Sequence, residues 1–107
     1  MLPIHRLKKA FVPDSVAVIG ASDRAGSLGT FVWNGVSNSN RVMQAYPVNP
    51  KYKSLGVSPC WPRLADLPVV PDLAVIALPS KYVLDMLAEC AEKGVRFVLL
   101  ATGQEES

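Results

Sequence analysis

The sequence predicts an α/β fold of the Rossmann-like, doubly wound kind, with a parallel sheet of about four strands covered by helices on both faces. Three observations predict it. Short apolar runs alternate with amphipathic ones along the 107 residues, the signature of strand–helix–strand units around a parallel sheet. The apolar runs are continuous rather than alternating, as a strand covered on both faces requires. The first of them runs straight into Gly20-Ala-Ser-Asp-Arg-Ala-Gly-Ser-Leu-Gly29, a glycine-rich stretch that opens a helical pattern. With half its residues hydrophobic, a chain of this length closes one core and is short for two, so residues 1–107 are expected to form one domain, with 1–10 as an N-terminal lead or helix.

The first strand is read at residues 16–19. From Gly26 to about Ser37, Leu28, Phe31, Val32, Trp33 and Val36 recur at helical spacing, and Trp33 is assigned to packing. Ser37-Asn-Ser-Asn40 is a turn composition. Residues 45–49 read as a shorter strand whose Pro47 suits an edge or a strand start. Five prolines between Pro50 and Pro71 keep regular structure brief there, so a loop is expected, with an extended piece near 55–57 and one helical turn at 63–67. Residues 72–78 form the next buried strand, followed by Pro79 and by Ser80 as helix N-cap. Val83, Leu84, Leu87, Ala88 and Ala91 mark the apolar face of the second helix, Asp85, Glu89, Glu92 and Lys93 its polar face, and Gly94 its end. Residues 95–101 are the last strand. Right-handed crossovers then suggest the strand order 3-2-1-4.

A net charge of +2 is too small to point to nucleic acid, and the basic cluster His5-Arg-Leu-Lys-Lys9 reads as a solvated helix. No stretch approaches the roughly 18 apolar residues of a spanning helix, and no signal peptide is seen ahead of the first strand; a soluble, cytoplasmic protein without a membrane partner is expected. Cys60 and Cys90 are widely spaced, which favours reduced thiols over a disulfide or a zinc site.

Ligands of such sheets bind beyond the carboxyl ends of the strands. Four segments should meet there: Gly20 to Gly29, Asn49 to Lys51, Leu78 to Ser80, and Thr102-Gly103. A loop that leads from a strand into a helix offers backbone N–H groups and the positive end of the helix dipole to a phosphate, and glycine removes the Cβ that would block the anion. The dinucleotide fingerprint G-x-G-x-x-G is not written here, because Ser22 stands in the second glycine position. The carboxylate that would bind a ribose diol after the second strand is replaced by Pro47-Val-Asn-Pro-Lys51. A cation there favours a ligand with an extra ribose phosphate. NADP and coenzyme A both qualify.

SVAVIGAS, then GSLG, YPVNPKY, LADLP, VPDLAVIALP and GVRFVLL, in this order over residues 11–106, resemble the CoA-binding domain of the NDP-forming acyl-CoA synthetases, a family related to the α subunit of succinyl-CoA synthetase. A similar domain opens the large bacterial protein lysine acetyltransferases. The resemblance implies a site for CoA or an acyl-CoA. Gly20, Ala21 and Ser22 with Gly26, Ser27, Leu28 and Gly29 would hold the nucleotide phosphates through backbone N–H groups and the two serine hydroxyls. Asn49, Pro50 and Lys51 would lie along the adenosine end, with Lys51 on the 3′-phosphate. Leu78, Pro79 and Ser80 would flank the pantetheine arm, and Thr102 and Gly103 its far end.

The family's phosphorylated histidine and its nucleoside-phosphate module lie in other domains. His5 reads as a bystander, and no paired carboxylates, Ser-His-Asp set or metal cluster is found, so this chain is not expected to catalyse alone; further synthetase or acetyltransferase domains or subunits are the implied partners. Family members continue past a segment like 102–106 into a further helix and strand. Without that last αβ unit one flank of the final strand is open, and self-association into a homo-oligomer through it is expected. Gln104 stands where the family commonly has an aromatic residue. Two rival readings remain: an NADP-binding oxidoreductase domain, and a degenerate domain that binds nothing and serves assembly. Trp61 could pack or stack on adenine, and Cys60 could be an inert buried thiol or one reactive toward CoA disulfides.

Overall fold

Residues 12–101 are described by the computed structural model; the expected N-terminal helix with His5, and Thr102, Gly103 and Gln104, lie outside them. β1 (Ser15–Ile19) passes through the glycine loop into α1 (Leu28–Ser37), followed by β2 (Gln44–Val48) and a small hairpin of β3 (Ser54–Leu55) and β4 (Ser58–Pro59). A 3-10 turn at Leu64–Asp66 leads to β5 (Leu73–Ile76), and another at Ser80–Tyr82 leads into α2 (Val83–Lys93) and β6 (Phe97–Leu100).

β1, β2, β5 and β6 form one parallel sheet. Successive side chains of a strand leave opposite faces, and each face has its own core. Val16, Val18 and Val75 pack under α1 with Trp33, Leu55 and Cys60. Ala17, Ile19, Val48, Ala74 and Ile76 pack on the other side against Leu64, Leu67, Cys90 and Val95. Each helix thus covers the face that a right-handed crossover assigns to it. Trp33 is 6% exposed and is core, as its position on the helix predicts. Phe31, placed by spacing on the same face, is 78% exposed; ten residues give α1 one narrow inward stripe, and Gly29, Val32, Trp33 and Val36 fill it.

The order of the sheet is β2-β1-β5-β6. Counting the four principal strands along the chain, this is 2-1-3-4 and not the expected 3-2-1-4. The reason lies at the outer edge of β2. There Trp61 makes a parallel bridge to Val48, its N–H donating to the Pro47 carbonyl at 2.9 Å and its carbonyl accepting from Asn49 N–H at 2.9 Å. A residue's N–H and C=O leave the same side of a strand, so Pro47 turns its missing N–H to this edge and β1 loses no ladder bond. The edge position is taken by one residue of the proline-rich segment, and the next full strand pairs with β1 instead.

That segment holds the expected helical turn as a 3-10 turn, and its extended piece proves to be a hairpin with Gly56 at φ 61° in the reversal. Two expectations for α2 are corrected. Ser80 begins a 3-10 turn rather than capping the helix, whose N-cap position falls to Tyr82 without a side-chain bond. The buried side of α2 carries Val83, Met86 and Cys90, whereas Leu84, Leu87, Ala88 and Ala91 are exposed.

Candidate functional site

Three of the four expected segments come together at the carboxyl ends of the strands. Gly20 leaves β1 at φ 95°, its N–H donating to the Val48 carbonyl at 2.8 Å. A Cβ there would fall on the Ala77 carbonyl oxygen and reach 2.8 Å from Leu78 Cδ2. This glycine is what lets the first loop lie against the loop after β5. Gly29, in the first turn of α1, has no room for a Cβ either, because the Gly20 carbonyl oxygen occupies that place. The N-terminus of α1 is drawn onto the end of β1, and its positive pole with it.

Ser27 caps α1. Its Oγ accepts from Thr30 N–H at 3.2 Å and pairs with Thr30 Oγ1 at 2.7 Å, and Thr30 Oγ1 in turn donates to the Arg24 carbonyl at 2.7 Å. One of the four N–H groups that a helix start leaves unsatisfied is thereby met. Those of Leu28 and Gly29 stand in the same turn, where helix geometry supplies no acceptor. Gly26, at φ 79°, is exposed with open space where a Cβ would be.

The Asn49 side chain ties the first two segments together. Its amide donates to the Ala21 carbonyl at 2.9 Å, and its Oδ1 accepts from Lys51 N–H at 2.9 Å. The second bond is an Asx turn, and it fixes the loop that carries Pro50 and Lys51, both exposed beyond β2. Ser22 is 9% exposed; its Oγ accepts from Arg24 N–H at 3.0 Å and lies 3.0 Å from the Tyr52 hydroxyl. The two serines proposed as phosphate ligands therefore each have a local partner that holds the loop in shape. Leu78 packs into the core and against Gly20, and Pro79 and Ser80 sit exposed at the start of the next turn. Thr102 and Gly103 lie outside the described residues.

Sequence reasoning passed over Tyr52 and Arg24. The signal for Tyr52 was its place two residues after Pro50 in an otherwise polar loop end; for Arg24 it was a cation inside the glycine loop, exposed beside Asp23. Beside Ser22 a groove of about 430 Å³ runs between α1, with Thr30, Trp33 and Asn34, and the turn of the hairpin at Gly56 and Val57. Cys60 is buried at its edge of the core, with Sγ 3.5 Å from the Asn49 carbonyl. Burial pushes this thiol above its ordinary range, partly offset by backbone hydrogen bonds at Asn49 and Trp61, so it stays the less reactive neutral form. Among the described residues no group of His, Cys, Asp and Glu could hold a metal ion, and no helix is long and apolar enough to cross a membrane.

Can these residues fit a phosphorylated nucleotide? Two glycines are used for packing between loops, and only Gly26 leaves space open. The groups that could meet an anion are therefore the first turn of α1 and Lys51, whose loop the Asn49 turn fixes at the end of β2.

Comparison with known proteins places these features in context. Residues 14–107 match the model of a family described as a CoA binding domain. The chain is 40% identical over 105 residues to an ADP-forming acetate–CoA ligase II of Archaeoglobus fulgidus, covering 96% of this chain and 16% of that protein. It is 40% identical over 96 residues to a trans-feruloyl-CoA synthase, covering 90% of this chain and 14% of that protein. Among solved structures, a dinucleotide-forming acetyl-coenzyme A synthetase 1 of Ca. Korarchaeum cryptofilum, in complex with phosphate and ADP, superposes with a TM-score of 0.84 at 31% identity, over 92% of this chain and 21% of that one. The chain thus spans about a sixth of the ligase it matches first.

Proposed function

Because this chain belongs to the CoA binding domain family, we propose that it binds coenzyme A or an acyl-CoA at the carboxyl ends of β1, β2 and β5, as the nucleotide-binding module of an ADP-forming acyl-CoA synthetase. The observation that carries the reading is the interlocked loop pair. Asn49 bridges the Ala21 carbonyl and the Lys51 N–H, and so ties the loop that carries Lys51 to the glycine loop that opens α1, whose first turn Gly29 holds against β1. A ligand with a diphosphate and a separate ribose phosphate needs two anion sites, and a helix start and a point charge are groups that can serve them. The diphosphate goes to the N–H groups of Leu28 and Gly29 across Gly26, the 3′-phosphate to Lys51. Gly20, Ala21, Ser22 and Ser27 shape that cradle, Pro50 borders the adenosine, and Leu78, Pro79 and Ser80, with Thr102 and Gly103, flank the pantetheine arm.

CoA supplies the thiol on which an acyl group is carried; the residues described here hold its nucleotide end and orient the arm outward. Bond making is left to other domains or subunits, and the ligase relatives favour a synthetase over an acetyltransferase as the larger assembly. Calorimetric titration with CoA, dephospho-CoA and NADP in parallel tests the reading. CoA should bind, and removal of the 3′-phosphate or Lys51→Ala should each weaken it roughly 10- to 100-fold, the range of a charge-assisted hydrogen bond, with the two losses not additive. Binding of NADP without CoA would overturn it in favour of an oxidoreductase domain. A folded chain that binds none of the three would favour an assembly role.

A further inference from the structure

The loop after β2 is fastened to the glycine loop twice. At its start the Asn49 amide donates to the Ala21 carbonyl at 2.9 Å. Three residues on, the Tyr52 hydroxyl lies 3.0 Å from Ser22 Oγ. Two neighbouring residues of one loop thus hold residues 49 and 52 of the other, and the two positions between the ties are Pro50 and Lys51, both exposed. The tie at Tyr52 is anchored from below. Its ring is half-buried and packs against the core under α1, with Trp33, Leu55 and Cys60. Its N–H donates to the Asn49 carbonyl at 3.4 Å, and the serine it meets is 9% exposed.

Ser22 stands where the dinucleotide fingerprint has its second glycine, the residue that lets the backbone approach a pyrophosphate. A glycine there could not be tied, since the bond is made by a side-chain oxygen. Ser22 Oγ accepts the Arg24 N–H at 3.0 Å on one side and meets Tyr52 on the other. One hydroxyl therefore joins the turn of the glycine loop to the loop that carries Lys51. The Asn49 bonds fasten that second loop at one end, where the Asx turn also takes the Lys51 N–H. A chain held at one point can still swing about it. A second tie on the far side of Lys51 removes that freedom, and a loop already ordered when its ligand arrives has less entropy to lose on binding.

We propose that Tyr52 is a positioning residue of the nucleotide site. Through the Ser22 hydroxyl it sets where the Lys51 loop stands relative to the glycine loop, and with it the preference for a ligand that carries a ribose 3′-phosphate. Tyr52 acts through Lys51 rather than on the ligand. The inference rests on the reading of this site as one for CoA, and adds to it the residue on which that selectivity depends. Its scale is that of one neutral hydrogen bond, a factor of about 3 to 10, smaller than the factor carried by the Lys51 charge itself.

Calorimetric titration of Tyr52→Phe with CoA and with dephospho-CoA, beside the parent chain, is the test. The phenylalanine ring keeps the packing and Ser22 Oγ keeps the Arg24 N–H, so the thermal melt should hardly move. CoA should bind roughly 3- to 10-fold more weakly and dephospho-CoA as before, so that the ratio of the two affinities falls by that factor. In a Lys51→Ala background the same change should cost CoA nothing further, because the residue it positions is gone. A merely structural role would move the melt and both affinities together, not their ratio. An unchanged ratio would overturn the proposal: the hydroxyl is idle if both ligands bind as to the parent, and belongs to the cradle as a whole if both weaken alike. A full additional loss in the Lys51→Ala background would overturn it as well, by separating Tyr52 from Lys51. A parent chain that binds neither ligand would overturn the reading of the site and this inference with it, whereas a parent that binds CoA beside a Tyr52→Phe chain of unchanged ratio overturns the inference alone.

Discussion

The two helices of this domain are anchored at opposite ends. α1 has no charged residue among its ten and is held at its start, by the Ser27 cap and by the close approach of Gly29 to the Gly20 carbonyl. α2 is strongly amphipathic and has no side-chain cap at its start. It is held at its end, where the Gly94 N–H closes on the Cys90 and Ala91 carbonyls and Lys93 reaches two carbonyls of the preceding turn. Both helices begin at the carboxyl edge of the sheet, but only α1 has a side-chain cap from its N-cap residue. A helix that must present N–H groups to an anion cannot fray at its first turn.

Breaking the first anchor should have the largest effect. Gly29→Ala puts a methyl group on a backbone oxygen that cannot rotate away, so α1 must move off β1, at a cost of about 3 kcal/mol, the upper end for overpacking. In the same helix Gly35 has nothing within 4 Å of a Cβ, and Gly35→Ala should raise stability by about 0.5–1 kcal/mol from helix propensity alone. Urea unfolding of the pair separates packing from propensity. Equal and opposite-to-expected shifts, or a Gly29→Ala protein as stable as its parent, would mean that the first turn of α1 is not pinned.

Releasing the second anchor should matter less. Lys93→Met keeps the aliphatic stem and loses the bonds to Ala65 and Leu67, one of them short at 2.6 Å. Because the ammonium is partly exposed, about 1 kcal/mol is expected rather than the full value of a charged hydrogen bond. Hydrogen exchange should quicken in the Leu64–Asp66 turn and in the last turn of α2, and stay unchanged in the Ser27–Thr30 cap. Exchange that quickens at both helices would deny that the two anchors are separate.

The same contrast explains what the sequence made legible. The apolar runs and Gly94 announce β1, β5, β6 and the end of α2 through local rules, one for buried parallel strands and one for left-handed caps. The glycine loop was legible for a similar reason, since three glycines after a strand restrict what can follow. The order of the sheet was not legible, because it turned on Trp61 filling the edge of β2, a contact between a proline-rich loop and a strand that no periodicity encodes. The face of α2 was misread because the helix has two apolar stripes at adjoining angles, and spacing alone does not say which one meets the core. Around the site, Asn49 was placed by its segment. Its bond to Ala21, and the pairing of Ser22 with Tyr52, join residues about thirty positions apart, and such contacts appear only once the strands are aligned.

The smallest expected effect concerns the two faces themselves, each of which buries one thiol, Cys60 under α1 and Cys90 on the inner side of α2. Burial raises both above the ordinary thiol value near 9, with Glu89 adding to the shift at Cys90. A group whose folded value is raised lends stability that is fully present below the unfolded value and is lost as pH climbs through the folded one. Unfolding free energy should therefore be level in its thiol contribution through neutral pH and fall above about pH 9, as the unfolded chain releases protons that the folded chain keeps. Cys60→Ala/Cys90→Ala lowers the baseline through lost packing but should flatten that alkaline slope. The single variants divide it: Cys90, with a carboxylate beside it and no compensating backbone bond, should account for more of the slope than Cys60, where Asn49 and Trp61 oppose the shift. An alkaline slope that survives in the double variant would place its origin in other groups, and equal shares from the single variants would mean that the two faces shield their thiols alike despite the hydrogen bonds around Cys60.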